Sequence, residues 1–309
     1  MKWKYVTPLL LLAALAAAPQ FLPRFHTYIL AIVLLTGLLA TSLNLAIGFG
    51  GIYQFHHAVF YGVGAYGTAL VLTRTQLPAP VGLMAGPVAA AALSLVMGVI
   101  CVRLSKLYFG MLQISLGSLV WATVYRWYSF TGGDNGIPGV PVPGWIASSE
   151  SAYYYTLAVT TLSMLALYRI VGSPFGKVLQ GIRDNPVRSD AIGIDVKAHK
   201  LTALVIAGFF GGVAGSLFVV IDTSVFPDMM FWTYSLEVLI MCLLGGMYTF
   251  FGPLVGSSIL VLLRTYVSIH IPYWHLCLGI ILTLVIVFLP EGVLGYAARR
   301  FRPKEGRLA

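Results

Sequence analysis

TYILAIVLLTGLLATSLNLAIGFGGIYQFHHAVFYGVGAYGTALVLT, residues 27–73, contains no Asp, Glu, Lys or Arg. Around Gly48–Gly51 it divides into two apolar runs, about 28–47 and 52–73. Each is long enough to cross roughly 30 Å of hydrocarbon as a helix. Further runs of this kind lie at about 6–22, 79–102, 108–127, 152–171, 201–221, 233–249, 253–269 and 272–289. The pattern predicts an all-α integral membrane protein, a polytopic bundle of about ten transmembrane helices forming a single domain over 1–309. The run at 52–73, rich in Gly and His, and that at 253–269, which carries Arg264, are expected either to cross fully or to be broken or re-entrant.

Composition agrees. The chain is 59% hydrophobic and 9% charged, whereas soluble domains carry roughly 25% charged residues to cover a wetted surface. Its 33 glycines and 16 prolines suit closely packed, interrupted membrane helices. The net charge of +9 gathers between apolar runs, which reads as membrane orientation and not as a nucleic-acid surface. Ten alternating spans from a cytoplasmic N-terminus put Lys2, Lys4, Arg103, Lys106, Lys177, Arg183, Arg188, Lys197 and the basic C-terminus inside. Arg24 and Arg74 fall outside with Asp134, Glu150, Asp222 and Asp228. Lys2 and Lys4 before an apolar run ending in Ala16-Ala17-Ala18 also have the form of a secretory signal. Retention as the first span is the expectation; cleavage would leave nine.

Two polar stretches interrupt the pattern. An external loop is expected at 128–151, where FTGGDNGIPGVPVPGW is ordered by turn residues and non-helical. A cytoplasmic loop is expected at 173–200. Within it Asn185-Pro186 reads as an N-cap with proline at the first helical position, and Gly193 as a C-terminal stop. A helix of about two turns is the consequence.

Several patterns with chemical connotations fail on context. Gly62, Gly64 and Gly67 spell GxGxxG, but inside an apolar run with no strand before it, so close helix packing is the reading. Two overlapping GxxxG pairs, Gly208/Gly212 and Gly211/Gly215, predict a close helix contact, within the chain or with another subunit. No GxxxxGK[ST] occurs, so any ATP is hydrolysed elsewhere. HExxH, GxSxG and paired acids are missing too, and no enzyme chemistry is expected. Adjacent His56 and His57 point to different helix faces, and Cys101, Cys242 and Cys277 have no ligand spacing, so no metal is expected.

Polar groups at membrane depth face the protein interior or a water-filled path. Asn44, Gln54, His56, His57 and Glu237 are therefore the pathway candidates, with polar packing between helices as the competing reading. GGIYQF at 50–55 and GGMYTF at 245–250 echo each other, each after a segment beginning Ser-Leu at Ser42 and Ser235, as internal repeats of transporters do.

Five segments taken in order resemble the branched-chain amino-acid permeases of ABC importers, LivM type. They are SLNLAIGFGGIYQFHHAVFYGVGAY; LYFGMLQISLGSLVWATVYRWYSFTGGDNGIPGVP; SPFGKVLQGIRDNPVRSDAIGIDVKAHKLTALVIAGFFGGVAGSL; SLEVLIMCLLGGMYTFFGPLVGSSIL; and FLPEGVLG. The resemblance implies a bacterial inner-membrane subunit without cofactor of its own. Its implied partners are a second homologous permease, two ATPase subunits that bind ATP and Mg, and an external solute-binding protein. It also implies that a cytoplasmic helix couples to the ATPase. Arg183, Asp184, Asn185, Pro186, Asp190, Ala191, Ile192, Gly193 and Ile194 are the matching residues, with Ile192 and Ile194 as apolar anchors. Where that family often has Ser then Gly ahead of the His-Ala pair, this chain has Gln54 and His56 before His57-Ala58. That departure leaves the solute open among amino acids, urea and short amides, with an ion-coupled carrier as the alternative outside the family.

Overall fold

The computed structural model describes residues 3–104, 106–270 and 291–301, with isolated positions between 273 and 288. Among these, the regular structure is helical, and extended backbone pairs at one antiparallel bridge, Ile137 with Val225. The principal helices are α1 (Trp3–Phe21), α2 (Arg24–Asn44), α3 (His57–Arg74), α4 (Ala79–Cys101) and α5 (Lys106–Arg126). After the short α6 (Tyr128–Thr131) come α7 (Ser149–Gly172), α8 (Pro174–Asp184), α9 (Pro186–Ala191) and α10 (Val196–Asp222). Then follow α11 (Trp232–Gly245), α12 (Gly252–His270) and α13 (Gly292–Phe301). Among the described residues, four helices are long and apolar enough to span a bilayer: Arg24–Phe49, Ala79–Cys101, Ser149–Gly172 and Val196–Asp222. The protein is a multi-pass, all-α membrane protein.

α2 sits at the centre. It is apolar on every side, and a helix of that kind is buried all round; each residue from Val33 to Gly50 is buried. α10 lies in the groove between α3 and α4, and glycine makes this fit possible. A Cβ on Gly64 would run into the backbone of Gly212, and one on Gly86 into the carbonyl of Gly64. The GxGxxG and GxxxG patterns are thus two sides of one three-helix contact inside the chain, which answers the choice between internal and intersubunit packing. Pro87 within α4 has no N–H for the carbonyl of Leu83. Ser216 of α10 donates its hydroxyl to that carbonyl at 2.8 Å. Ser216→Ala is expected to cost about 1 kcal/mol, read as a lower melting temperature of the detergent-solubilised chain.

The structure moves several expected boundaries. The run at 52–73 is helical only from His57, and that at 233–249 is reduced to the 14 residues of α11. In both cases a glycine pair breaks the backbone, with Gly51 at φ 62° and Gly246 at φ 114°, a region L side chains rarely enter. The run at 253–269 is the continuous helix α12, Arg264 included. The expected loop 173–200 is mostly helix. α8 starts at a Ser173 cap with Pro174 first, and buries Gly176, Leu179 and Ile182 along one face. α10 starts at Val196, five residues before the predicted 201, because Asp195 caps it through Ala198 N–H at 2.9 Å. Most of the tenth run, 272–289, lies outside the described residues.

The glycine-rich loop after α5 is ordered as expected, though it includes α6 and two 3₁₀ turns where none was predicted. Gly132, Gly133, Gly136 and Gly139 all have positive φ. The loop is pinned across α10's end by Val140 N–H donating to Thr223 O at 2.7 Å. Hydrogen bonding to Asp134 raises the Tyr128 phenol above its usual range.

Candidate functional site

Each named pathway residue has a definite place. α2 widens into a π-helical segment, Leu45–Phe49, and closes with Ile52 N–H donating to Ala46 O at 2.9 Å across the left-handed Gly51. Gly51 N–H also donates to Ile47 O at 3.0 Å, the bond of a left-handed glycine stop. The chain then runs extended to His56, with Ile52, Gln54 and His56 buried and Tyr53 exposed between them, so the three share a side. α3 begins in the interior. Its second residue, Ala58, donates its N–H to Ser235 Oγ of α11 at 3.0 Å, and His57 Nε2 lies 2.8 Å from Ser42 Oγ of α2. The two Ser-Leu serines therefore both hold the first turn of α3.

His57 is thus a tie between helices. Asn44 is another, donating to Thr249 O at 3.2 Å. Gln54 and His56 differ. Both amide atoms of Gln54 are buried without a hydrogen-bond partner, and the buried ring of His56 has the Gln113 side chain as its polar neighbour. His56 packs its Cβ near Gly117 of α5, its ring edge-on to Phe60, and faces Gln113 of α5. Gln113 Oε1 is likewise buried without a partner. Orphaned polar atoms of this kind each cost about 1–3 kcal/mol unless water or a ligand satisfies them. Gln54 and His56, on one side of the extended stretch, and Gln113, which faces His56, are therefore interior polar groups open to a solute, alongside single orphan atoms on Asn44 and His57.

Glu237 does not join that group. It projects from α11 into a separate cavity of about 830 Å³ bounded by α2, α3, α10, α11 and α12. There it pairs with Arg264 of α12 at 3.6 Å, the arginine side chain being 54% exposed and the glutamate 20%. Asp228 and Tyr28 stand at the same cavity, with Phe218 and Val261 on its apolar walls. Tyr61 stacks on Tyr234 at 5.5 Å and follows His57 by one turn on the same face of α3. The stacked rings therefore stand between this cavity and the His57–Ser42 layer.

At the opposite end lie α8 and α9. Asn185 Oδ1 accepts the N–H of Arg188 at 2.9 Å, Pro186 starts α9, and Gly193 at φ 87° ends it. This is the helix read from the sequence. Ile192 is 73% exposed and Val187, which sequence reading passed over, 77%; Ile194 is half-buried. A shallow groove beside α9 is lined by Arg103, Pro186, Asp190, Ile194 and Lys200. Arg183, in the last turn of α8, turns inward. It donates to Gly48 O at 2.9 Å, and its guanidinium lies over the Tyr248 ring at 5.4 Å.

Sequence reading missed Gln113, Tyr61 and Tyr234, and it placed Asp228 on the outer side without a role. A lone glutamine inside the apolar run 108–127 is the same signal that drew attention to Gln54; the tyrosines carry none.

The family described as branched-chain amino acid transport system, permease component, matches residues 25–288. The chain belongs to this family. Among its relatives the permease is 26% identical over 329 residues to the high-affinity branched-chain amino acid transport system permease protein LivM of Escherichia coli. That alignment covers 98% of this chain and 77% of the relative. A probable branched-chain amino acid transport permease protein LivM of Methanocaldococcus jannaschii is 22% identical, over 81% of each chain. The guanosine ABC transporter permease protein NupQ of Bacillus subtilis is 28% identical over 83 residues, 27% of this chain and 26% of the relative. No solved structure matches the permease.

Proposed function

We propose that the chain is the membrane-spanning permease subunit of an ATP-binding cassette importer. It moves branched-chain or related amino acids across the bacterial inner membrane, and separate subunits hydrolyse ATP. Ten spans place the α8–α9 end in the cytoplasm, where basic residues concentrate. The partners are a second homologous permease, two ATPases and an external binding protein. The observation that carries this reading is the similarity over 98% of the chain to a LivM permease, joined to a rigid, doubly capped helix pair at the basic end.

Solute enters at the Glu237–Arg264 cavity, whose paired charges and apolar walls suit a zwitterion with an aliphatic side chain. It passes the Tyr61–Tyr234 stack and meets Gln54, His56 and Gln113; His57 and Asn44 keep the backbone of the path in place. Neutral amides and imidazoles bind such a solute weakly, which alternating access requires.

α9 is the piece that couples to the ATPase, through Val187 and Ile192. Gly193→Val forces a β-branched residue into the left-handed region, at about 1–3 kcal/mol, and re-aims the end of α9 while leaving the spans intact. Nothing lies near a Cβ built there, so the chain still inserts. In vesicles holding the complete importer, ATP-dependent uptake falls to a small residue at normal membrane abundance. Normal uptake in that variant removes α9 from the mechanism. Parent uptake that survives ATP depletion and collapses with the ion gradient replaces the importer by an ion-coupled carrier.

A further inference from the structure

The two echoing segments are structurally alike. Each follows the end of a membrane helix, each carries its second glycine at positive φ, and each leads into the next helix, α3 or α12. They also meet. Asn44 of the first unit bonds the Thr249 carbonyl of the second, and a Cβ on Gly48 would strike the carbonyl of Met247. The ends of α2 and α11 are thus closed against each other by two short glycine-bearing segments at the end of the molecule that carries α8 and α9.

One side chain from outside the two segments touches both. Arg183 bonds the Gly48 carbonyl at 2.9 Å and lies over Tyr248 at 5.4 Å. Its Cα and Cβ fill the space beside Gly51, where an added Cβ would meet each at 3.1 Å. Asp184 fixes the orientation of the fork by accepting from Nε at 3.0 Å and from Nη2 at 2.9 Å. The next residue, Asn185, is the cap of α9. Any displacement of α9 therefore acts on the backbone immediately beside Arg183. Lysine lacks the planar fork needed to serve the carbonyl, the carboxylate and the ring at once.

We propose that the paired glycine segments 48–54 and 245–251 form the inner gate, and that Arg183 is the positioning residue that latches it shut until α9 moves. The geometry shown is the latched state. Tilting α9 withdraws the guanidinium from Gly48 and Tyr248, and the two left-handed glycines supply the hinges on which the segments part. This inference rests on the importer reading and adds to it the identity of the gate and of the link.

The test uses the complete importer in proteoliposomes, with solute uptake and ATP hydrolysis measured in the same sample. Arg183→Ala is expected to assemble and to hydrolyse ATP near the parent rate, while solute moved per ATP falls roughly tenfold. Tyr248→Leu, which keeps an apolar side chain and loses the ring contact, shifts that ratio in the same direction by less. Arg183→Lys falls between parent and alanine. Uptake and hydrolysis falling in proportion would mean that Arg183 merely supports ATPase docking and would overturn the latch; so would an unchanged ratio in both Arg183→Ala and Tyr248→Leu. Failure of the importer reading shows separately, as parent vesicles whose uptake ignores ATP.

Discussion

Gly212→Val is expected to leave almost no folded chain in the membrane. A Cβ at this position would lie 2.9 Å from Pro87 Cα and 3.3 Å from Gly86 O, with Ala90 closer still, while Gly64 presses its own backbone against Gly212 from α3. These neighbours are backbone and short side chains, which have no alternative rotamer to retreat into. Overpacking ordinarily costs about 1–3 kcal/mol, and here three helices must separate, so the upper end of that range or more applies. Membrane abundance and the melting temperature of solubilised chain report the effect. Gly144→Ala, which meets nothing within 4 Å, is the matched control and should be silent. Parental abundance and melting in Gly212→Val would mean that α10 can leave the α3–α4 groove without consequence.

That contact also shows what sequence can and does not carry. Glycine spacing in a run without charges announces close packing, because lipid supplies no hydrophobic drive and backbones must approach instead. It does not name the partner, and Gly212 finds Gly64 and Gly86 only through the tertiary arrangement. Helix ends were legible where chemistry marks them, as at Asn185-Pro186 and Gly193. Ser173-Pro174 bears the same mark, and α8 was missed because its charges were read as loop composition ahead of the spacing of Leu179 and Ile182. The helix break at Gly246 lies inside the apolar run 233–249, where hydropathy averages over it, and the extended stretch from Ile52 to His56 is hidden in the same way inside the run 52–73. Gln54 and His56 were visible as polar residues at depth, yet only coordinates separate them from His57 and Asn44, which each bond a neighbouring segment while keeping one buried atom, Nδ1 and Oδ1, without a partner.

Glu237 and Arg264 permit a sharper separation of structure from transport. Each supplies the other's counter-charge at 3.6 Å, at a depth where a charge without one is costly. Glu237→Gln and Arg264→Gln should each lower the abundance and melting temperature of the chain. The penalty is on the order of 1–2 kcal/mol, held down by the solvent exposure of the arginine. Glu237→Gln with Arg264→Gln together removes both charges and keeps hydrogen-bonding amides of similar size, so abundance and melting should return close to the parent. Uptake should not return. A zwitterion entering the cavity would find no cation from this pair for its carboxylate and only Asp228 for its ammonium, and ATP-dependent uptake by the complete importer should stay at least about tenfold down, a loss of about 1.4 kcal/mol in the entry step. A purely structural ion pair predicts the opposite, with uptake recovering alongside stability. That result would take Glu237 out of the pathway and leave Gln54, His56 and Gln113 as the polar groups the solute meets.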